Sequence, residues 1–149
     1  MSWWETTPLG EMSDDQWEAL CDGCARCCMV KLEDEDTREV VYTDLVCRFL
    51  NLESARCTVY PQRHERVPDC VNFEAAEAQQ FDWLPSSCAY RRLANGRGLA
   101  WWHPLVSGRR ETVVEAGISV LGRVTSEDDV HEDDLELHVV RWIEPERVV

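Results

Sequence analysis

CDGCARCC, residues 21–28, sets Cys21, Cys24, Cys27 and Cys28 within eight positions. A C-x2-C step lets two thiolates converge on one ion, because the intervening residues turn and aim backbone N–H groups at the sulfurs. Gly23 suits that turn. Two successive steps present three thiolates, Cys21, Cys24 and Cys27, on one side of a loop. Four-iron clusters use this arrangement and draw a fourth ligand from a distant cysteine. The adjacent pair is harder to place. Neighbouring side chains in extended backbone point to opposite faces. Cys27 and Cys28 therefore serve different ions, or one binds while the other packs or bridges.

Four single cysteines follow at Cys47, Cys57, Cys70 and Cys88, making eight in all. Eight thiols suffice for two four-ligand sites. Structural zinc more often uses two separated pairs, so the spacing leans toward an iron–sulfur cluster and leaves zinc open. Buried free cysteine is the plainer alternative, since it behaves as a small hydrophobe. That reading fits Cys88 on its expected helix as well as ligation does. It fits the crowded, polar 21–28 stretch poorly.

The chain has 149 residues, of which 44% are hydrophobic, enough for one domain with its own core. Twenty-nine acidic residues outweigh 15 basic ones, for a net charge of −14, and Lys31 is the one lysine. So acidic a surface repels nucleic acid and anionic membranes, and neither is an expected partner. No apolar run approaches the ~18 residues of a membrane helix, and the N-terminus lacks the features of a secretory signal. A cytoplasmic location is expected. There, thiols serve metal or redox chemistry more often than structural disulfides.

Outward from the cysteine loop, Ser13 to Gln16 forms a capping box, and a helix is expected over about Asp14–Cys21. Met12 and Trp17 would supply its hydrophobic staple, with Trp3 and Trp4 docked on the body. Met29–Leu32 and Glu39–Tyr42 read as a hairpin around a solvated acidic turn, Glu33–Asp36. Residues 44–72 read as an irregular, ligand-bearing stretch. Helices are expected over Glu74–Phe81 and about Ser87–Ala94, the second closed by Asn95–Gly96. Ile118–Val124 and Leu135–Val140 have strand-like spacing, separated by a segment in which six of eight residues are acidic. The fold class expected is α+β: one small domain over 1–149, with an irregular, cysteine-rich metal-binding region at about 13–90 and an α/β portion at about 91–149.

LCDGCARCC, then Cys47, Cys57-Thr58-Val59-Tyr60 and Pro68-Asp69-Cys70, resembles the CxxCxxCC group, whose cysteines are thought to chelate zinc or iron. EMSDDQWEALCDGC, LEDEDT, FDWLPSSCAYRRLANG and WHPLVSG are similar to its YcgN-like branch of uncharacterised bacterial proteins. The resemblance runs from near the N-terminus to about residue 108. It implies metal chelation by Cys21, Cys24, Cys27, Cys28, Cys47, Cys57 and Cys70, with Cys88 joining through the branch's WLPxxCAYR pattern. A distant member is a flagellin lysine methylase associated with an iron–sulfur cluster. Methyl transfer does not carry over, because this chain has no separate domain for it. The loop often has Gly where Ala25 stands, which is tolerable if the backbone keeps negative φ. The wider group often pairs Arg with Pro where this chain spreads Arg63 to Pro68.

Other candidates have plainer readings beside them. His64 lies between Cys57 and Cys70 and could ligate, but an exposed polar histidine is the simpler view. His103, between Trp102 and Pro104, could line a pocket or be structural. Arg26 could offset thiolate charge without ligating. The chain shows no nucleotide-binding loop and no Ser/His/Asp arrangement, so enzymatic activity stays open. The function expected is chelation of zinc or iron, or of an iron–sulfur cluster, with a redox or electron-transfer role open to it. The alternatives are a structural-zinc module that meets a protein partner and an iron–sulfur enzyme.

Overall fold

The computed structural model describes residues 2–67, 70 and 84–143. The chain enters through a short helix, α1 (Trp3–Thr6). Next comes α2 (Asp14–Ala19), opened by the expected capping box: Ser13 Oγ accepts from Gln16 N–H, and Gln16 Oε1 accepts from Ser13 N–H. After the cysteine loop come β1 (Met29–Glu33) and β2 (Val40–Val46), paired antiparallel as the sequence predicts. Between them the acidic turn is exposed and held by Asp34 Oδ1, which accepts from Asp36 and Thr37.

β2 is the centre of the sheet. One edge meets β1. The other is shared by β5 (Thr125–Ser126), parallel, and β6 (Val139–Val140), antiparallel. β3 (Leu50–Asn51) and β4 (Arg56–Cys57) make a separate small hairpin. The described helices continue with α3 (Arg63–Arg66), α4 (Ala89–Ala94), α5 (Pro104–Ser107) and α6 (Thr112–Glu115). The α+β class holds. No helix among the described residues is long and apolar enough to cross a membrane. The helix expected over Glu74–Phe81 lies outside the described residues.

The β1–β2 register shifts between Met29 and Lys31, and Thr43 fills the irregularity. Its buried hydroxyl donates to Val30 O at 2.7 Å and accepts from Leu45 N–H at 3.3 Å. Thr43→Val keeps the shape and strands both backbone groups, so it is expected to cost about 1–3 kcal/mol in chemical denaturation.

Two expectations fail in the C-terminal part. Residues 118–124 turn instead of extending: Arg123 N–H bonds back to Val120 O, and Gly122 has φ 76°. Leu135–His138 belong to a 3-10 helix, Glu132–His138, whose first turn is capped by His131. Only Val139–Val140 reach the sheet. The apolar spacing misled because Leu137 is 81% exposed and faces no core.

The apolar interior has two clusters. One gathers Met29, Tyr42, Val46, Leu50, Ala55, Val120 and Ile143 around the sheet, with Cys28 packed against it. The other gathers Leu20, Leu84 and Tyr90, with Trp3, Trp4, Met12, Trp17, Cys27 and Cys88 against it. The tryptophan lead-in and the Met12–Trp17 pair thus dock as expected. The cysteine loop runs between the two clusters.

Candidate metal centre

The loop is fixed at several backbone points. Cys21 follows α2, where the buried His103 receives the end of the helix. The His103 ring bonds Leu20 O at 2.7 Å through Nε2, and Leu105 N–H donates to Nδ1 at 3.0 Å. A carbonyl only accepts, so Nε2 carries the proton and the ring is neutral. His103 is structural, and its expected alternative as a pocket residue gives way. Its signal in the sequence was slight, because a side chain that caps α5 and also reaches 83 residues back leaves no local pattern. His103→Ala orphans both backbone groups and opens a void, and is expected to cost about 2–4 kcal/mol by calorimetry.

Asp22 Oδ1 accepts from Cys24 N–H at 3.0 Å, and Gly23 supplies the left-handed turn with φ 79°. Ala25 also lies in the left-handed region, at φ 64°, so the condition of negative φ for an easily tolerated Cβ is not met. A Cβ there is strained. The compensation is that Ala25 is buried and its methyl packs in the sheet-side cluster, which glycine cannot do. A 3-10 turn at Arg26–Cys28 then delivers the chain into β1.

Arg26 is buried and does more than offset charge. Nε donates to Ile118 O at 2.7 Å, one terminal nitrogen to Gly117 O at 3.3 Å and the other to Ser87 Oγ at 3.2 Å. Its guanidinium also lies over the Trp142 ring. The cysteine loop is thereby anchored to the chain 91 and 92 residues away.

All eight cysteines are free thiols, half-buried except for the exposed Cys21. Cys28 continues through its carbonyl to Cys47 N–H at 2.9 Å. Cys57 stands opposite Leu50 in the β3–β4 hairpin. Cys70 N–H bonds Val67 O beyond α3. Cys88 is the N-cap of α4 rather than part of the helix. His64 is exposed on α3, in accord with its plainer reading. Among the described residues, no group of three or more His, Cys, Asp and Glu side chains stands ready to hold a metal ion.

The electrostatics show a crowd of acids. Burial of its sulfur, then Cys27, Asp22 and Cys88, pushes Cys21 up to about 12, although the residue as a whole is exposed. Burial, then Asp22, Cys27 and Cys21, holds Cys24 well above the ordinary thiol. Burial and Cys27 raise Cys88 to about 12, against the pull of the N–H groups opening α4. Cys47 and Cys70 rise through burial first and then neighbouring acids, cysteines among them. Cys27 is the exception, lowered to about 7, first by a hydrogen bond from Cys28 and then by Lys31. Cys28, the donor, is raised. Lys31 bonds Cys27 O at 2.7 Å and Met29 O at 2.9 Å, which brings its ammonium beside Cys27, Cys28 and Cys70.

Sequence reading gave Lys31 no role, nor Tyr42, fully buried, whose phenol is raised by burial and by Cys27, Cys88 and Cys24. Lys31 carried one signal, its uniqueness. Asp22 was also passed over, although an Asp-Gly pair inside C-x2-C is visible. Its Oδ2 is buried with no hydrogen-bond partner, beside Cys21 and Cys24. An orphaned carboxylate oxygen among mutually repelling thiols is a surrounding that a cation relieves. Soft sulfur donors suit zinc, iron and iron–sulfur clusters. The donor set therefore fits a thiolate-bound metal, and rotation about Cα–Cβ is the freedom that would bring the sulfurs together.

The thiol crowding has a consequence for metal-free protein. Unfolded thiols ionise near pH 9, whereas folded Cys21 and Cys88 hold their protons to about 12. The folded state binds more protons in that interval, so its stability falls as pH rises. Metal-free chain is expected to lose stability progressively from pH 9 to 12, seen as a falling denaturation midpoint. Metal-loaded chain is expected to fail instead in acid, where protons compete for the thiolates.

The class that this fold and site define is a cysteine-cluster protein. Residues 20–89 match the family CxxCxxCC, described as "Putative zinc- or iron-chelating domain". Over 139 residues the chain is 53% identical to a UPF0260 protein of Parvibaculum lavamentivorans, covering 93% of this chain and 91% of that one. It is 52% identical to a UPF0260 protein of Marinobacter nauticus, covering 94% and 95%. A UPF0260 protein of Gluconacetobacter diazotrophicus is 55% identical, covering 93% and 86%. The chain belongs to the UPF0260 family. No solved structure matches it.

Proposed function

We propose that this protein chelates zinc or iron through Cys21, Cys24, Cys27, Cys28, Cys47, Cys57, Cys70 and Cys88. One observation carries the reading: all eight cysteines are free, and each has at least one other as an electrostatic neighbour. Sequence-distant elements supply them, so the metal would join the cysteine loop to the β3–β4 hairpin and α4. Bound metal supplies charge neutralisation and a covalent-like staple. Lys31 and Arg26 would offset the remaining negative charge without ligating.

Metal and acid-labile sulfide analysis of anaerobically purified protein tests the reading. Stoichiometric zinc or iron is expected. Protein that holds only trace metal, with every thiol titratable, would overturn it. Iron with sulfide would open the redox or electron-transfer role, and zinc without sulfide would favour a structural one.

A further inference from the structure

We infer that the eight cysteines make two separate four-thiolate sites: Cys21, Cys24, Cys27 and Cys88 in one, Cys28, Cys47, Cys57 and Cys70 in the other. This rests on the chelation reading and adds the ligand sets and the stoichiometry.

The division begins at the adjacent pair. Cys27 and Cys28 lie in a 3-10 turn, where successive side chains diverge by about a third of a circle. Their packing follows that divergence, with the two sulfurs still in contact through the Cys28 hydrogen bond to Cys27. Cys27 rests against the Leu20–Leu84–Tyr90 cluster and Cys28 against the sheet-side cluster.

Each side then collects its own partners. Cys88 packs in the same cluster as Cys27, and Cys21 directly follows Leu20 of that cluster. The charges that weigh on Cys21, Cys24 and Cys88 come from one another, from Cys27 and from Asp22. On the other side, Cys28 O holds Cys47 N–H, Cys47 O holds Leu50 N–H, and Leu50 faces Cys57 across the hairpin. Cys28 senses Cys47 and Cys70. Cys47 senses Cys57, and Cys70 senses Cys27 first and then two members of this set, Cys57 and Cys47. The links that cross between the sets pass through Cys27, to Cys28 and to Cys70. Lys31 stands at that seam. The doubled cysteine of the motif is then a junction, one member for each ion. Four thiolates around one ion is the ordinary closed zinc site.

The test loads reduced full-length chain with zinc(II) alone and reads stoichiometry by native mass spectrometry. One-zinc chains are then alkylated and their modified cysteines mapped. Saturation at two zinc ions is expected. In one-zinc chains the four protected cysteines should all belong to one set. Cys88→Ala and Cys57→Ala are each expected to weaken one zinc by more than the ~100-fold that loss of an outer partner costs, and to spare the other. If a variant fails to fold, the alkylation map of the unaltered chain still decides. Saturation at one zinc, or joint protection of Cys27 and Cys28 in one-zinc chains, would overturn the two-site inference and leave chelation standing. Failure to bind any zinc would overturn the two zinc sites, and failure to bind iron(II) as well, in a parallel anaerobic titration, would contradict chelation.

Discussion

Stripping the metal from reduced protein with a chelator is expected to lower Tm by about 6–24 °C, and restoring the ion should recover it. The cysteine region has little else to stand on. β3 and β4 are two residues each, and α3 and α4 are four and six. Elements this short do not persist by themselves. Structural zinc contributes roughly 10–16 kcal/mol in small peptides that fold only around it. Here the sheet and two apolar clusters carry part of the fold, so about 3–6 kcal/mol is a reasonable share. A domain of this size shifts by about 2–4 °C per kcal/mol. Scanning calorimetry with and without chelator measures the difference. A shift under about 2 °C would mean that the thiols do not staple the fold.

Arg26→Ala carries the second largest expected effect, about 3–5 kcal/mol, together with weakened metal binding. The change leaves the carbonyl of Ile118 without its donor, takes one of two donors from Gly117 O and the partner from Ser87 Oγ, and empties the space of a buried guanidinium, while Arg123 stays on Gly117 O and over the Trp142 ring. It also frees the loop between Cys24 and Cys27. Arg26→Lys keeps the charge and loses the planar fork, so it should recover less than half of the lost stability. Denaturant unfolding paired with a competitive zinc titration separates the two losses. Arg26→Ala with unchanged stability would show that the loop does not depend on this anchor.

The local part of the fold was legible in the sequence. Ser13 and Gln16 announce α2, the acidic turn announces the hairpin, and Asn95–Gly96 closes α4, each through neighbours three or four positions away. The cysteine spacing likewise announced the tight turn at Gly23, φ 79°. Arg26 was legible only as a nearby charge, because two of its acceptors are backbone carbonyls that any residue type could supply. Its third, Ser87, is 61 positions away. Residues 118–124 were misread for a related reason. Their apolar side chains serve the core from a turn, as Val120 does at 1% exposure, so periodicity without pairing partners suggested a strand. Ala25 shows the same limit at one residue, since burial of a methyl outweighs a backbone preference that local reading takes as decisive.

Thiol reactivity before and after chelation is the most direct measurement of the central claim. Anaerobically purified native protein is exposed to a thiol-specific reagent, and modified cysteines are counted against the eight in the chain. Few are expected to react in protein as isolated, and all eight once chelator and mild denaturant are added, with release of zinc or iron on the same time course. Full reaction of all eight cysteines in the native protein, with no metal released, would contradict chelation.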